Sequence, residues 1–407
     1  MTTKINNEHK KVYVPNSTDK GNVIRNVPHL RFPEFEGEWE VESIKDVADF
    51  MGGGTPSSSN ESFWQGTIPW VSSSDIVEND IKNISISRYI TEEAIAHSAT
   101  KLCPAPSILI VSRVGVGKIA LSKEAICTSQ DFCNLINIKV EPIFLTYCLS
   151  QIMKRKSMEV QGTSIKGITT SEIQKISINI PSLQEQKKIG KILSLLDERI
   201  ATQNKIIEDL KKLKSAIIEK LYSEIQGKEY SYRQLFDVVN ERNKQMEYSN
   251  ILSASQEKGM INRDDLNLDI QFERSNINTY KIVRAGDYVI HLRSFQGGFA
   301  FSDKSGVCSP AYTILRPNSF LEYSYLSNYF TSQRFIKSLI IVTYGIRDGR
   351  SINVDEWLSM KITIPSKEHQ QYIVKMIGSF DRKIESEEAY TIHLSKQKQY
   401  ILRQMFI

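Results

Sequence analysis

The chain has 407 residues, 40% of them hydrophobic and 24% charged; this matches a globular polypeptide, not a disordered or membrane one, and predicts two domains of ordinary size. Its longest apolar runs, such as Ile108 to Val111 and Leu339 to Val342, fall far short of the roughly 20 residues a membrane span needs. A net charge of +5 is compatible with binding phosphate backbones without requiring it.

In chain order, residues 1–27 are polar and lack an apolar signal core, and are expected to form a flexible leader on a cytoplasmic protein. Residues 28–180 read as a globular domain of mixed α/β type. Alternating segments such as Ser107 to Val111 and Ile178 to Ile180 predict strands, and a short helix is expected near Leu145 to Lys154. Cys103, Cys127, Cys133 and Cys148 fall here and Cys308 in the second half; with no CxxC pair among them, they are expected to be reduced packing residues.

After Pro181 and the N-cap candidate Ser182, apolar residues recur at Ile189, Leu196, Leu210 and Ile217, with companions at Ile192, Leu193, Ile200, Ile206, Ile207 and Leu213. This heptad seam predicts a long helix over 181–227. Residues 228–365 read as a second globular domain, with a helix expected near Tyr323 to Lys337. A second long helix over 366–407 follows Pro365-Ser366 and carries Ile373, Met376, Ile377, Phe380, Ile384, Leu394 and Ile401. Forty residues at about 1.5 Å each make a rod of about 60 Å whose apolar stripe needs cover. The cover is the other copy, another protein, or the helix's own domain. An antiparallel coiled coil between the two helices is favoured, with Arg199, Lys383, Gln203 and Glu387 as polar seam residues that set register.

The two halves are copies. Ile168 to Gln186 lies over Ile352 to Gln370 at a shift of 184 without a gap, and the register persists to Tyr222 over Phe406. Upstream, Pro106 to Arg113 resembles Gly286 to Arg293 at a shift of 180, as expected when loops differ on a shared scaffold. The fold class is therefore α+β: two tandem mixed α/β domains separated by two long helices, with a pseudo-twofold internal repeat.

Several stretches together resemble the specificity subunit of type I restriction-modification systems: Val27 to Trp39, Gly53 to Ser57 followed by Trp64, Ile68 to Ser72 with Asp75, Ser112 to Lys118, and the paired IPS-x-x-x-Q helix starts. The resemblance implies two target-recognition domains, each reading one half of a bipartite double-stranded DNA site, with the helices setting the unread spacer. It implies no cofactor in this chain. S-adenosylmethionine and adenine N6 methylation would belong to two modification subunits, and ATP with magnesium to restriction subunits that cleave DNA. The second half departs from the pattern, having Asn240 to Ile251 in place of GGTPS and IPWVSS, so the two halves are expected to read different sequences. A free-standing DNA-binding regulator is the alternative.

Catalytic motifs are missing. In Gly115 to Lys118 the first glycine of a phosphate-binding loop falls on Ser112, and Ile119 replaces its Ser or Thr. No Pro-Pro dipeptide exists for a base methyltransferase, and the six histidines show no metal-binding spacing. For DNA contact, Arg113 and Arg293 end equivalent strands before the glycine-bearing loops with Gly117, Lys118, Ser294 and Gln296. Such an arginine reads guanine, clamps a phosphate, or serves as an ion-pair partner. The polar loop with Gly53, Gly54, Thr55 and Ser57 suits a groove wall or a plain linker, and Ser72, Ser73 and Asp75 offer hydroxyls and a carboxylate to base edges. Trp64 and Trp70 fill a core more readily than they stack on bases. Thr163, Ser164 and Lys166 align with Arg347 and Arg350 as DNA-facing loops or solvated turns.

Overall fold

The computed structural model describes residues 26–161, 167–255, 258–265, 274–291, 298–344 and 351–407. It divides into two compact units: residues up to Gln203 together with Tyr390–Ile407, and Asn204–Ala389. Each unit therefore contains one globular domain and part of both long helices, which span Leu183–Ser223 and Lys367–Gln404. No helix among the described residues is long and apolar enough to cross a membrane.

The first unit is built on a four-stranded antiparallel sheet in the order Asp49–Gly52, Phe132–Ile136, Ser107–Val111, Ile119–Ser122. Ser107–Val111 is central and wholly buried, which is why it reads as an unbroken apolar run. Its alternate residues enter two cores. Ile108 and Ile110 face the helix Pro142–Gln161 and the long helices, and Leu109 and Val111 face a second, mixed sheet of Arg88–Ile90, Ile68–Val71, Ile126–Thr128 and Leu102–Cys103. The second unit repeats the first sheet in the same order: Phe236–Val239, Thr313–Pro317, Tyr288–Ile290, Phe299–Phe301. Tyr288 and Ile290 face one core and Val289 another.

Two short helices differ from expectation. The first is longer, Pro142–Gln161. Over Tyr323 to Lys337 only Gln333–Ser338 is helical, because Ser324 adopts a positive φ of 60° and Ser332 then caps a fresh start by accepting from Phe335 N. All five cysteines are free and buried; burial pushes the Cys103 thiol up to about 11 and those of Cys127, Cys148 and Cys308 to about 12.

The glutamine of each IPS-x-x-x-Q start is buried and ties helix to domain. Gln186 Nε2 donates to the Pro181 carbonyl at 2.8 Å, and its Oε1 accepts from Glu141 N at 2.9 Å. Gln370 repeats the arrangement, donating to Pro365 and Phe320 carbonyls at 3.0 Å and accepting from Glu322 N at 2.7 Å. Deleting either amide strands buried backbone groups. Gln186→Ala and Gln370→Ala are each expected to cost about 1–3 kcal/mol, read by calorimetry as a lowered transition of the affected unit; unchanged melting would show the tie to be dispensable.

Within each unit the two long helices run antiparallel. In the first, Ile189 and Leu193 share a core with Ile401, Leu402 and Met405, and Lys398 pairs with Asp197. In the second, Ile218 and Tyr222 share a core with Ile373 and Ile377, while Lys211 pairs with Glu388 and Lys214 with Asp381 at 2.5 Å. At the repeat shift of 184, Asp197 is the copy of Asp381 and Lys214 the copy of Lys398. The same pair of repeat positions is thus used once within each unit, with the helices exchanged.

Of the helix-pairing candidates, Ile189, Ile373, Ile384, Leu394 and Ile401 are buried, and Leu196, Ile200, Leu210, Ile217 and Phe380 are half-buried. Ile206 and Leu213, expected as companions, are 41% and 49% exposed. A helix of 3.6 residues per turn drifts from a strict heptad and carries them off the seam. For the same reason the expected polar seam residues Arg199 and Lys383 lie exposed: Arg199 stacks over Tyr390 at 5.4 Å and Lys383 pairs with Glu387 on its own helix, whereas Gln203 is buried.

Candidate nucleic-acid interface

In the first unit three loops are tied together by hydrogen bonds and by stacking of Arg88 on Trp70. The loop from Gly52 to Asn60 is pinned rather than free: Gly54 N donates to Thr128 O at 2.8 Å, and Gly54 O accepts from Trp70 Nε1 at 2.9 Å and from the Thr100 hydroxyl. A Cβ on Gly53 would lie 2.1 Å from Ser129 O and one on Gly54 2.4 Å from the Ala99 carbonyl carbon, so close backbone packing accounts for both glycines. Thr55 and Ser57 are exposed. Thr55 bonds Gln130, and the Ser57 carbonyl accepts from Trp64 Nε1 at 3.1 Å. Trp64 meets Trp70 edge-on at 5.0 Å, so the two indoles act as packing plates under the loop.

The second loop is the turn Ser73–Asp75. Its capping pattern is local: Asp75 Oδ2 accepts from Ser72 N at 2.7 Å and Ser72 Oγ at 3.0 Å. Arg88 joins it from the neighbouring strand, donating through Nη2 to Ser72 Oγ at 2.7 Å and to Asp75. The third loop follows Ser107–Val111. Gly115 and Gly117 take φ of 89° and 104°, and a Cβ on Gly117 would lie 2.9 Å from Ser157 Cβ, so both conformation and packing require glycine there. Lys118 Nζ donates to Ser73 O at 3.1 Å, which joins Lys118 to Ser72 and Ser73. Arg113 is exposed beside it, and Ile168 N donates to Ser112 O at 2.7 Å.

Thr163, Ser164 and Lys166 lie outside the described residues, as do Arg293, Ser294, Gln296, Arg347 and Arg350. Their frames are described: His291 N donates to Gly298 O at 2.8 Å, and Thr343–Tyr344 pairs antiparallel with Ser351–Ile352. Where the first unit has its glycine loop, the second has a turn organised by the buried Asn243, whose side chain bonds both the carbonyl and the N–H of Tyr248. Arg242 and Lys244 are exposed on it, and Arg284 pairs with Glu241 at 2.8 Å. The two units thus present different chemistry at equivalent places, hydroxyl-rich in one and charged in the other.

Arg88 was not legible as a member of the site. Ser72 and Asp75 carry a capping spacing, but Arg88 reaches them only through the antiparallel register that sets it opposite Trp70.

The family described as type I restriction modification DNA specificity domain matches residues 36–212 and again 227–395. The chain is similar to the type I restriction enzyme MjaIX specificity subunit of Methanocaldococcus jannaschii, 33% identical over 183 residues, which is 43% of this chain and 42% of that protein. It is also similar to the putative MjaX specificity subunit of the same organism, 23% identical over 401 residues covering 91% and 93% of the two chains. The fold resembles the crystal structure of a type I restriction-modification S subunit from M. genitalium, with a TM-score of 0.55 at 16% identity over 94% of this chain and 99% of that one. With the family matched in both halves, and both halves built on one sheet order, the chain belongs to the type I restriction-modification DNA specificity domain family.

Proposed function

We propose that this chain is the sequence-specificity subunit of a type I restriction-modification complex and has no catalytic role of its own. Residues 28–180 and 228–365 are its two target-recognition domains, each reading one half of a bipartite DNA site. Residues 181–227 and 366–407 are spacer helices that pair as an antiparallel coiled coil. The helices dock two modification subunits, which bring S-adenosylmethionine for adenine N6 methylation, and restriction subunits add ATP-dependent cleavage. The complex works in the cytoplasm.

The observation that carries this reading is the duplication: one sheet order in two units, with the Asp197–Lys398 and Lys214–Asp381 pairs exchanged between copies. A duplicated reader suits a two-part target. Apolar side chains left exposed on the helices, among them Leu195, Ile206, Leu213, Ile392 and Tyr400, support the docking of further subunits. DNA contact is assigned to Thr55, Ser57, Ser72, Ser73, Arg113, Gly117, Lys118, Thr163, Ser164 and Lys166 in one half-site, with Gly53 and Gly54 holding their loop. Arg293, Ser294, Gln296, Arg347 and Arg350 serve the other.

Sequencing methylated adenines in cells that carry the chain with its modification partner tests this directly. A bipartite motif with a fixed gap is expected. Arg113→Ala should relax one half-site and Arg293→Ala the other, each lost base contact weakening discrimination by about 1–3 kcal/mol. If either substitution degrades both half-sites together, independent reading by the two domains is wrong.

A further inference from the structure

We infer that Arg88 and Asp75, mounted on Trp70, form a reading pair for one G·C base pair in the half-site taken by the first unit. The inference rests on the specificity reading above and names the base pair that this part of the surface would recognise.

Arg88 lies on the edge strand Arg88–Ile90, directly opposite Trp70, with its guanidinium 4.6 Å above the indole ring. The indole is itself fixed by its bond to the Gly54 carbonyl and by Trp64 against its edge. Stacking and the bonds from Nη2 to Ser72 Oγ and Asp75 therefore set the guanidinium before any ligand arrives. Prior ordering of this kind lowers the entropic cost of binding for a long side chain.

The valences left over give the constellation its meaning. The Asp75 carboxylate accepts all its bonds, from Ser72 N, Ser72 Oγ and Arg88, on Oδ2; among the described residues Oδ1 has no protein partner. Arg88 donates only through Nη2, so its Nη1 and Nε donors are likewise without a protein partner among the described residues. The Arg88 side chain is 38% exposed and that of Asp75 13%. A free cationic donor and a free carboxylate acceptor thus stand side by side at the surface. In the major groove, guanine offers the O6 and N7 acceptors and its paired cytosine the N4 donor, so one G·C pair meets both groups. An A·T pair offers a single acceptor on each base with the adenine N6 donor between them, which pairs the two groups less well. Lys118, held on Ser73 O at 3.1 Å, adds positive charge beside the pair for the adjoining phosphates.

The test uses the full chain co-expressed with its modification partner, with the methylated motif read by single-molecule sequencing and the complex recovered by size exclusion. The wild-type motif is expected to contain a G·C pair at which Arg88→Ala, Arg88→Lys and Asp75→Asn each admit other pairs, discrimination at that position falling roughly tenfold or more. Every other position, including the whole second half-site, stays as it was. Arg88→Lys keeps the charge over Trp70 and carries the test if Arg88→Ala yields no complex. A motif unchanged in Arg88→Lys, with complex recovered in normal amount, would reduce the pair to a strut between strand and turn and overturn the inference. A uniform fall in methylation on an unchanged motif would assign Arg88 to a phosphate and overturn it equally. Absence of any bipartite motif with the wild-type chain would instead overturn the specificity reading itself.

Discussion

Lys398→Met is expected to lower the stability of the first unit by about 3 kcal/mol, and Lys214→Met that of the second by about 1 kcal/mol or less, although the two lysines occupy the same repeat position. The difference comes from burial. The Lys398 and Asp197 side chains are 13% and 15% exposed, and Asp197 also accepts from the Tyr147 hydroxyl at 2.5 Å. Burial, and then the Asp197 carboxylate, hold the Tyr147 phenol protonated well above its usual range. Without the ammonium, Asp197 keeps a single neutral donor in a site that water reaches poorly, and an uncompensated buried charge is costly. Lys214 and Asp381 are 22% and 43% exposed, so water takes over from the lost partner. Calorimetry of the full chain, following the two units' transitions, measures both effects. Equal small losses would mean that the Asp197 site is wet and that its ion pair does little for the antiparallel register.

Trp357→Ala should be the more damaging change, costing about 4 kcal/mol in the second unit. Trp357 is fully buried, stacked on Tyr232 at 4.3 Å with the rings 14° from parallel, and lies 4.9 Å from Phe299. Phe236 and Phe330 complete an aromatic cluster around it. Truncation opens a cavity that stiff neighbouring rings cannot fill. At about 2–4 °C per kcal/mol for a unit of this size, its melting midpoint falls by roughly 10 °C, while the first unit's transition stays in place. Because the Trp357 indole N–H has no partner among the described residues, Trp357→Phe should cost far less, about 1 kcal/mol. A phenylalanine variant as unstable as the alanine one would show that the N–H has an acceptor after all.

Much of the architecture was legible because duplication leaves its mark on the order of residues. The shift of 184 that aligns Ile168 to Gln186 with Ile352 to Gln370 also predicts which contacts recur: two buried glutamines, each bonded to the carbonyl of the proline five residues before it and to a backbone N–H of its own domain. The helix starts after Pro181 and Pro365 follow from local chemistry, since proline ends the strand and a serine caps the next turn.

What the helices touch was less legible. Heptad counting selected Ile206 and Leu213, which the structure leaves exposed, and put Arg199 and Lys383 on the seam in place of Asp197, Lys398, Lys214 and Asp381. Periodicity defines a face only to within the drift between 3.5 and 3.6 residues per turn, about 20° per heptad, which over forty residues amounts to about a third of the helix circumference. Likewise Gly53 and Gly54 are evident as glycines, yet their reason, the backbone of Ser129 and Ala99 within 2.1 Å and 2.4 Å of where a Cβ would stand, belongs to strands far along the chain.

The sequence by itself therefore determined the copy number, the order of domains and helices, and the local turns, because each depends on residues within a few positions of one another or on a repeat that can be counted. Only the tertiary structure decided which charges meet and which donors remain free. Arg88 stands opposite Trp70 and against Asp75 through strand register, and Lys398 reaches Asp197 across some two hundred residues of chain. A side-chain contact at that separation follows from how sheets and helices pack, and nothing in local spacing encodes it.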